Sequence, residues 1–185
     1  DPFGGIDLEG EFGHRSTHIY RGQKSDVWDG GHRVPFFAAW PGVIEPGSVC
    51  STPICLTDLL QTAAEVVGTR LPADAGEDSV SMLPLVRGES APNLRSGIVH
   101  HSVNGTFGIR AGDWKLLTCR GSGGWSMSES EAPEAPGMQL YNLAEDPAET
   151  DNLFEEHPEK AQELLDLLSR YRADDRSTPT GSAQP

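Results

Sequence analysis

The stretch Arg21-Gly-Gln-Lys-Ser-Asp-Val-Trp-Asp-Gly-Gly-His-Arg-Val-Pro-Phe-Phe-Ala-Ala-Trp-Pro-Gly42 decides the fold class. It opens as a cationic loop, passes a double glycine and ends in an apolar run. Gly30 and Gly31 can take positive φ and let the backbone approach a neighbour closely. Pro35 holds the residues before it extended, because a residue preceding proline avoids the helical region. Phe36 to Trp40 is then continuously apolar until Pro41-Gly42 stops it, which predicts a strand at 35–40 covered on both faces, as in a parallel α/β sheet. A charged loop feeding a central strand is where open α/β sheets place ligands.

Outward from that stretch, residues 1–12 carry turn residues and no sustained period, and read as a surface loop. Downstream, Thr57 is placed to cap a helix whose apolar residues Leu56, Leu59, Leu60, Ala63, Ala64 and Val67 recur at helical spacing before Gly68 stops it. That stripe is expected to pack on the sheet. Ser81 to Val86 suits one helical turn. After Arg95 the period changes to short β-forming runs at 97–103, 107–110, 114–119 and 138–143, with Asn104-Gly105 and Ala111-Gly112-Asp113 as turns. The Gly/Ser/Glu/Pro-rich segment 121–137 between them reads as a mobile loop. Pro158 opens a last helix with Ala161, Leu164, Leu165, Leu168 and Tyr171 as its buried stripe, and the polar residues from Asp174 read as a tail. The expected organisation is an α/β portion at 1–95, an α+β portion at 96–173 containing a four-stranded antiparallel sheet and the helix, and a flexible tail at 174–185.

Fourteen basic residues against 28 acidic ones give a formal charge of −14, which argues against nucleic acid as a partner. With a mean hydropathy of −0.42, no run approaches the ~20 apolar residues that span a membrane. The local balance differs from the total: His14, Arg15, His18, Arg21, Lys24, His32 and Arg33 crowd one region, so the site's own field is cationic. Cys50, Cys55 and Cys119 have no zinc-binding spacing. They read as buried thiols, with a Cys50–Cys55 bridge left open.

Four blocks carry a resemblance. Gly13-His14 with Arg21-Gly-x-Lys24, and Trp28-Asp-Gly-Gly-His-Arg-Val-Pro-Phe36 running to Trp40-Pro-Gly42, come first. Leu56-Thr-Asp58 with Leu59-Leu60 and Thr62 follows, then Gly108-Ile-Arg-x-Gly-Asp-Trp-Lys115 and Leu140-Tyr-Asn-Leu-x-x-Asp-Pro-x-Glu149. In that order, over most of residues 13–170, they resemble the type I sulfatases, the arylsulfatase family of the alkaline-phosphatase-like superfamily. Where that family has Glu before the double glycine, this chain has Asp29. The resemblance is to the C-terminal part only. The family's nucleophile, a Cys or Ser in Cys/Ser-x-Pro-x-Arg matured to formylglycine, is expected before residue 1. Ser51-Thr-Pro53, Ser90-Ala-Pro92 and Ser177-Thr-Pro179 all lack the arginine. The ligands of the family's Ca²⁺ are expected upstream too, with no metal site and no other cofactor in these residues.

The resemblance implies hydrolysis of sulfate esters on a sulfated small molecule or glycan. The N-terminal part of the same enzyme would be the partner, no membrane would be involved, and the location would be periplasmic or secreted. Lys24 matches the family's lysine that binds a sulfate oxygen. A loop lysine is otherwise most often a solvated surface residue, and the motif around it reverses that reading. His14 either contacts substrate or is an ordinary loop histidine. Arg21 either positions substrate or pairs with Asp26 or Asp29. His100 and His101, on opposite faces of a strand end, are candidates for the pocket mouth, against a structural role for both. Asp29, Gly30, Gly31 and Arg33 read as an architectural clamp, and Asp113-Trp114-Lys115 as hairpin and packing. Two other classes stay open: a phosphatase or phosphonate hydrolase on the same fold, and a non-catalytic packing module.

Overall fold

The computed structural model describes residues 8–92 and 94–178. Its elements are α1 (Leu8–Phe12), a 3-10 turn at Asp29–Gly31, α2 (Asp58–Val66), α3 (Leu83–Val86), β1 (Ile98–His101), β2 (Phe107–Ala111), β3 (Trp114–Leu117), a second 3-10 turn at Glu129–Glu131, β4 (Gln139–Asn142) and α4 (Pro158–Ala173). Two compact units result. One comprises residues 1–34 and 99–168, the other residues 35–98 and 169–185.

The first unit is built on the four-stranded antiparallel sheet in the order β1-β2-β3-β4, as the sequence predicts. Gly105 and Gly112 take the positive φ that the two tight turns need. Register pairs Ile109 with Leu116 and Leu116 with Leu140, and on the alternate positions Arg110 with Lys115 and Lys115 with Tyr141. Ile109, Leu116 and Leu140 therefore share one buried face. Leu117 and Tyr141 face the other way and join Val27, Trp28, Cys119 and Leu143 in a core cluster, with Met127 against it. Ala161, Leu164 and Leu168 are the buried positions of α4, in line with its periodicity.

Two expectations for this unit are corrected. Leu8–Phe12 closes a short helix where a loop is expected; residues 1–7 lie outside the described residues. Segment 121–137 is held in place along its first half. Val27 N–H donates to Ser122 O at 2.8 Å and Ser122 N–H to Met127 O at 2.9 Å. Gln139 Nε2 donates to Gly121 O at 2.8 Å, and Ser128 and Glu131 close a capping box. A composition suited to disorder is overridden by these specific anchors.

In the second unit, Gly68 takes positive φ after α2, and Thr69 N–H reaches back to Ala64 O at 2.9 Å, the stop the sequence predicts. The rest of the helix departs from expectation. Thr57 makes no side-chain cap, and the buried residues of α2 are Asp58, Thr62 and Ala64. Asp58 accepts from Cys55 N–H at 2.7 Å and Val80 N–H at 3.1 Å and pairs with Arg95. Thr62 donates to Asp58 O at 2.6 Å and accepts from Met82 N–H at 3.0 Å. The polar face is thus inside, while Leu56, Leu59, Leu60 and Val67 are exposed. The expected strand at 35–40 is absent: no residue there pairs with a strand, and Phe37 is 92% exposed. A strand exists only through its neighbours, and no other segment among the described residues of this unit pairs with 35–40. The apolar helix stripe and the apolar run lack a cover for the same reason. Of the expected tail, 179–185 lie outside the described residues, while Ser177 and Thr178 N–H both donate to Glu77 O.

Candidate functional site

Lys24 stands on a turn shaped by its neighbour. Ser25 has φ 92°, a left-handed value that a side chain disfavours, and strain of this kind persists only where the surroundings fix it. Here three segments do so. Asp26 is fully buried and accepts from Gln23 N–H at 2.9 Å, Trp125 N–H at 2.9 Å and Ser126 N–H at 3.2 Å, and from the Ser126 hydroxyl. Ser25 O accepts from Val103 N–H at 2.9 Å. A carboxylate with that many donors is costly to replace.

Between these segments lies a cavity of about 230 Å³, lined by Lys24, Ser25, Asp26, Gly31, His32, His101, Ser102, Val103 and Trp125. Lys24, His32 and His101 thus line one cavity. Burial, with Lys115 nearby, lowers His32 to about 4, so its ring is neutral near pH 7. His32 Nε2 is buried without a hydrogen-bond partner. His101 Nδ1–H donates to its neighbour Ser102 O at 2.8 Å.

The other candidates sit elsewhere. His14 is exposed and outside the cavity lining. His100 is packed behind the cavity. Its Nε2–H donates to Val27 O at 3.1 Å, its ring meets His32 edge-on at 4.3 Å, and burial holds its pKa well below 6.5. Arg21 pairs with neither Asp26 nor Asp29. Its guanidinium stacks on Trp28 at 3.8 Å and donates to Glu149 O at 2.8 Å. A planar cation over an indole with a carbonyl in reach makes an acid partner unnecessary.

The double glycine packs against this loop. A Cβ on Gly30 would lie 2.5 Å from Arg21 O, and one on Gly31 would lie 2.8 Å from Gln23 O. Close approach, rather than positive φ, is what these glycines supply; neither has the left-handed φ. Arg33 Nε donates to Asp29 Oδ2 at 2.8 Å, the clamp read from sequence. Missed there is its other half. Lys115, 1% exposed, sits 2.7 Å from Asp29 Oδ1 and 2.7 Å from Glu149 Oε1, and Glu149 Oε2 accepts Asp29 N–H at 2.6 Å. Burial alone would raise the Asp29 carboxyl, yet Lys115 and Arg33 outweigh it and hold it at about 2. Burial pushes Glu149 up. The signal was present: Lys115 and Glu149 close two of the four motif blocks. Of the thiols, Cys119 is buried and pushed up to about 12, Cys55 is partly buried and Cys50 is exposed, so uniform burial is corrected; all three are free.

A Ca²⁺ site would need several converging oxygens. Among the described residues no group of three or more acidic, His or Cys side chains converges on one point. The buried carboxylates are already engaged: Asp26 by N–H and O–H donors, Asp58 by Arg95, and Asp29 and Glu149 by Lys115. These residues do not fit a metal. No helix among the described residues is long and apolar enough to cross a membrane.

The chain is 32% identical to an N-acetylgalactosamine-6-O-sulfatase of Bacteroides thetaiotaomicron, over 86% of this chain and 31% of that protein. It is 32% identical to arylsulfatase G of Rattus norvegicus, over 82% of this chain and 30% of the relative. A solved structure from work on glycosaminoglycan metabolism by Bacteroides thetaiotaomicron superposes with a TM-score of 0.75 at 30% identity, over 87% of this chain and 33% of that one. A sulfatase from Pseudoalteromonas sp. shares the fold, with a TM-score of 0.66 at 21% identity, over 88% of this chain and 34% of its own. These are sulfatases of the alkaline-phosphatase-like fold, and this chain spans 30–34% of the length of the four. Residues 23–174, which hold the Lys24 turn, the Asp29–Lys115–Glu149 cluster, the sheet and α4, match the family described as N-sulphoglucosamine sulphohydrolase, C-terminal, and the chain belongs to that sulfatase family.

Proposed function

We infer that this chain is the C-terminal part of a sulfatase that hydrolyses a sulfate ester on a sulfated glycan or small molecule, and that Lys24 binds a sulfate oxygen. The observation that carries this reading is the turn itself: an exposed lysine on a strained, thoroughly anchored turn at a cavity beside a neutral histidine. An exposed ammonium on a held backbone can stabilise charge developing on sulfuryl oxygens once bound substrate excludes water from it. A neutral imidazole adds a donor or acceptor without a charge of its own. Asp29 and Arg33 hold the 3-10 turn that follows, and Lys115 and Glu149 hold Asp29, so these four act on position rather than on substrate.

The nucleophile, read as formylglycine, and the Ca²⁺ ligands would come from residues outside this chain, with the N-terminal part of the same enzyme as partner. A periplasmic or secreted location goes with that family reading. Residues 1–185 alone are then inactive. The test is to assay the intact protein carrying this chain, and residues 1–185 alone, on a sulfated sugar and on the matching phosphate ester. Turnover of the sulfate ester by the intact protein only is expected. Preference for the phosphate ester, or turnover by residues 1–185 alone, contradicts the reading.

A further inference from the structure

Two apolar surfaces of the second unit face outward. The first is the run from Pro35 to Ile44, which carries no charged residue. Phe36, Phe37 and Trp40 are exposed on it, Phe37 at 92%. Successive residues of an extended chain point to opposite sides, so both sides of the run are apolar and both lack cover. Among the described residues, no backbone hydrogen bond engages residues 36–39. The second surface is the outside of α2. With Asp58 and Thr62 turned inward, Leu56, Leu59, Leu60, Ala63 and Val67 recur at helical spacing on the exposed side, a stripe of the kind that packs on a neighbouring layer.

Neither surface is built to meet water. Strand edges that stay in solvent carry charges, bulges or internal prolines that block further pairing. Here the prolines, Pro35 and Pro41, stand at the ends of the apolar run and leave 36–40 open. A second copy of this chain does not fit. Pairing 36–40 with itself gives a two-stranded ribbon whose faces are still bare, and such ribbons are marginal. A run apolar on both faces belongs inside a sheet with a layer on each side. Relatives of this family hold the material for one in the same polypeptide, since this chain spans only 31% and 33% of two of them.

We propose that residues 35–40 become a strand of a sheet supplied by the N-terminal part of the same enzyme, and that the outer stripe of α2 packs on that sheet. This rests on the reading above, in which that part is the partner, and gives the partner its seat on this chain. Main-chain bonds to residues 36–39 would supply the pairing, and the uncharged composition suits a permanent interface that resembles a domain core cut in two. The strand expected from composition then forms only in the assembled enzyme.

The test is amide hydrogen exchange on the intact protein carrying this chain, with melting temperatures of Phe37→Ala and Leu60→Ala in the same protein. Residues 36–40 are expected to exchange as slowly as β3. Each variant is expected to lower the melting temperature by roughly 5 °C or more, although both side chains are exposed in residues 1–185. Exchange of 36–40 at the rate of an open loop, or unchanged melting in both variants, overturns the proposal. Protection that appears only as the protein dimerises with rising concentration assigns the surface to a second copy and overturns it too. Turnover of a sulfated sugar by the wild type is read separately. Turnover with fast exchange sinks the interface and leaves the sulfatase reading standing; slow exchange and sensitive melting without turnover do the reverse.

Discussion

Lys115 and Asp29 form a buried ion pair, Nζ to Oδ1 2.7 Å, across 86 residues of sequence. With Glu149 on the same ammonium at 2.7 Å, it ties the motif-bearing loop to β3 and to the segment after β4. One cation between two buried acids makes the cluster stable only as a set.

Lys115→Met should therefore be severely destabilising. It leaves Glu149 buried without its cation and Asp29 with Arg33 alone, and breaking a buried pair in this way typically costs about 3–5 kcal/mol. Adding Glu149→Gln should recover part of the loss, because the acid left without a cation is then neutral. Urea unfolding of the single and double variants measures this. A loss under about 1 kcal/mol for Lys115→Met would contradict the cluster's role.

Acid should destabilise the fold through His32, while Glu149, its carboxyl pushed up by burial, acts in the opposite direction. Unfolded, His32 takes up a proton near 6.5; folded, burial and Lys115 delay this to about 4. The unfolded state binds more protons in that window, so stability is full above about 6.5 and falls as pH drops toward 4. His100, also lowered, acts in the same direction. His32→Asn should show a shallower fall between these values than the wild type. Equal slopes by denaturant unfolding across that range would contradict it.

Close approach at the double glycine gives a third outcome. In Gly30→Ala the new methyl lies 2.5 Å from Arg21 O, a backbone atom that cannot swing away. Overpacking of this kind costs about 1–3 kcal/mol. Gly137→Ala meets nothing within 4 Å and lacks a left-handed φ, so it should be neutral. Thermal melts of the two variants decide it.

Local signals carried most of what was legible. The sheet, its turns, the Gly68 stop and the Pro158 helix follow from period, propensity and turn chemistry, all contained in short windows. What failed depended on distant partners. Phe36 to Trp40 has strand composition, but pairing requires neighbours that residues alone do not name. Apolar periodicity puts the stripe of α2 inside because it cannot say that Asp58 and Thr62 find internal partners at Arg95 and Met82. Segment 121–137 has the composition of a mobile loop, yet Asp26, some hundred residues earlier, accepts from Trp125 and Ser126. Within the site, Lys24 and the Asp29–Arg33 clamp were readable from their motif, whereas Arg21's stacking on Trp28 and the engagement of Lys115 needed coordinates.

Turnover and melting temperature measured together on Lys24→Ala and Lys24→Arg, in the intact protein carrying this chain, test the central claim most directly. Removing a charged donor from a transition state typically costs about 3–4 kcal/mol, or roughly a hundredfold to a thousandfold in rate. Lys24→Ala should show that loss with an unchanged melting temperature, since Lys24 is exposed and the turn is held by Asp26. Lys24→Arg should recover only part of it, because a planar guanidinium directs its donors differently. Near-parental turnover in Lys24→Ala would contradict the assignment.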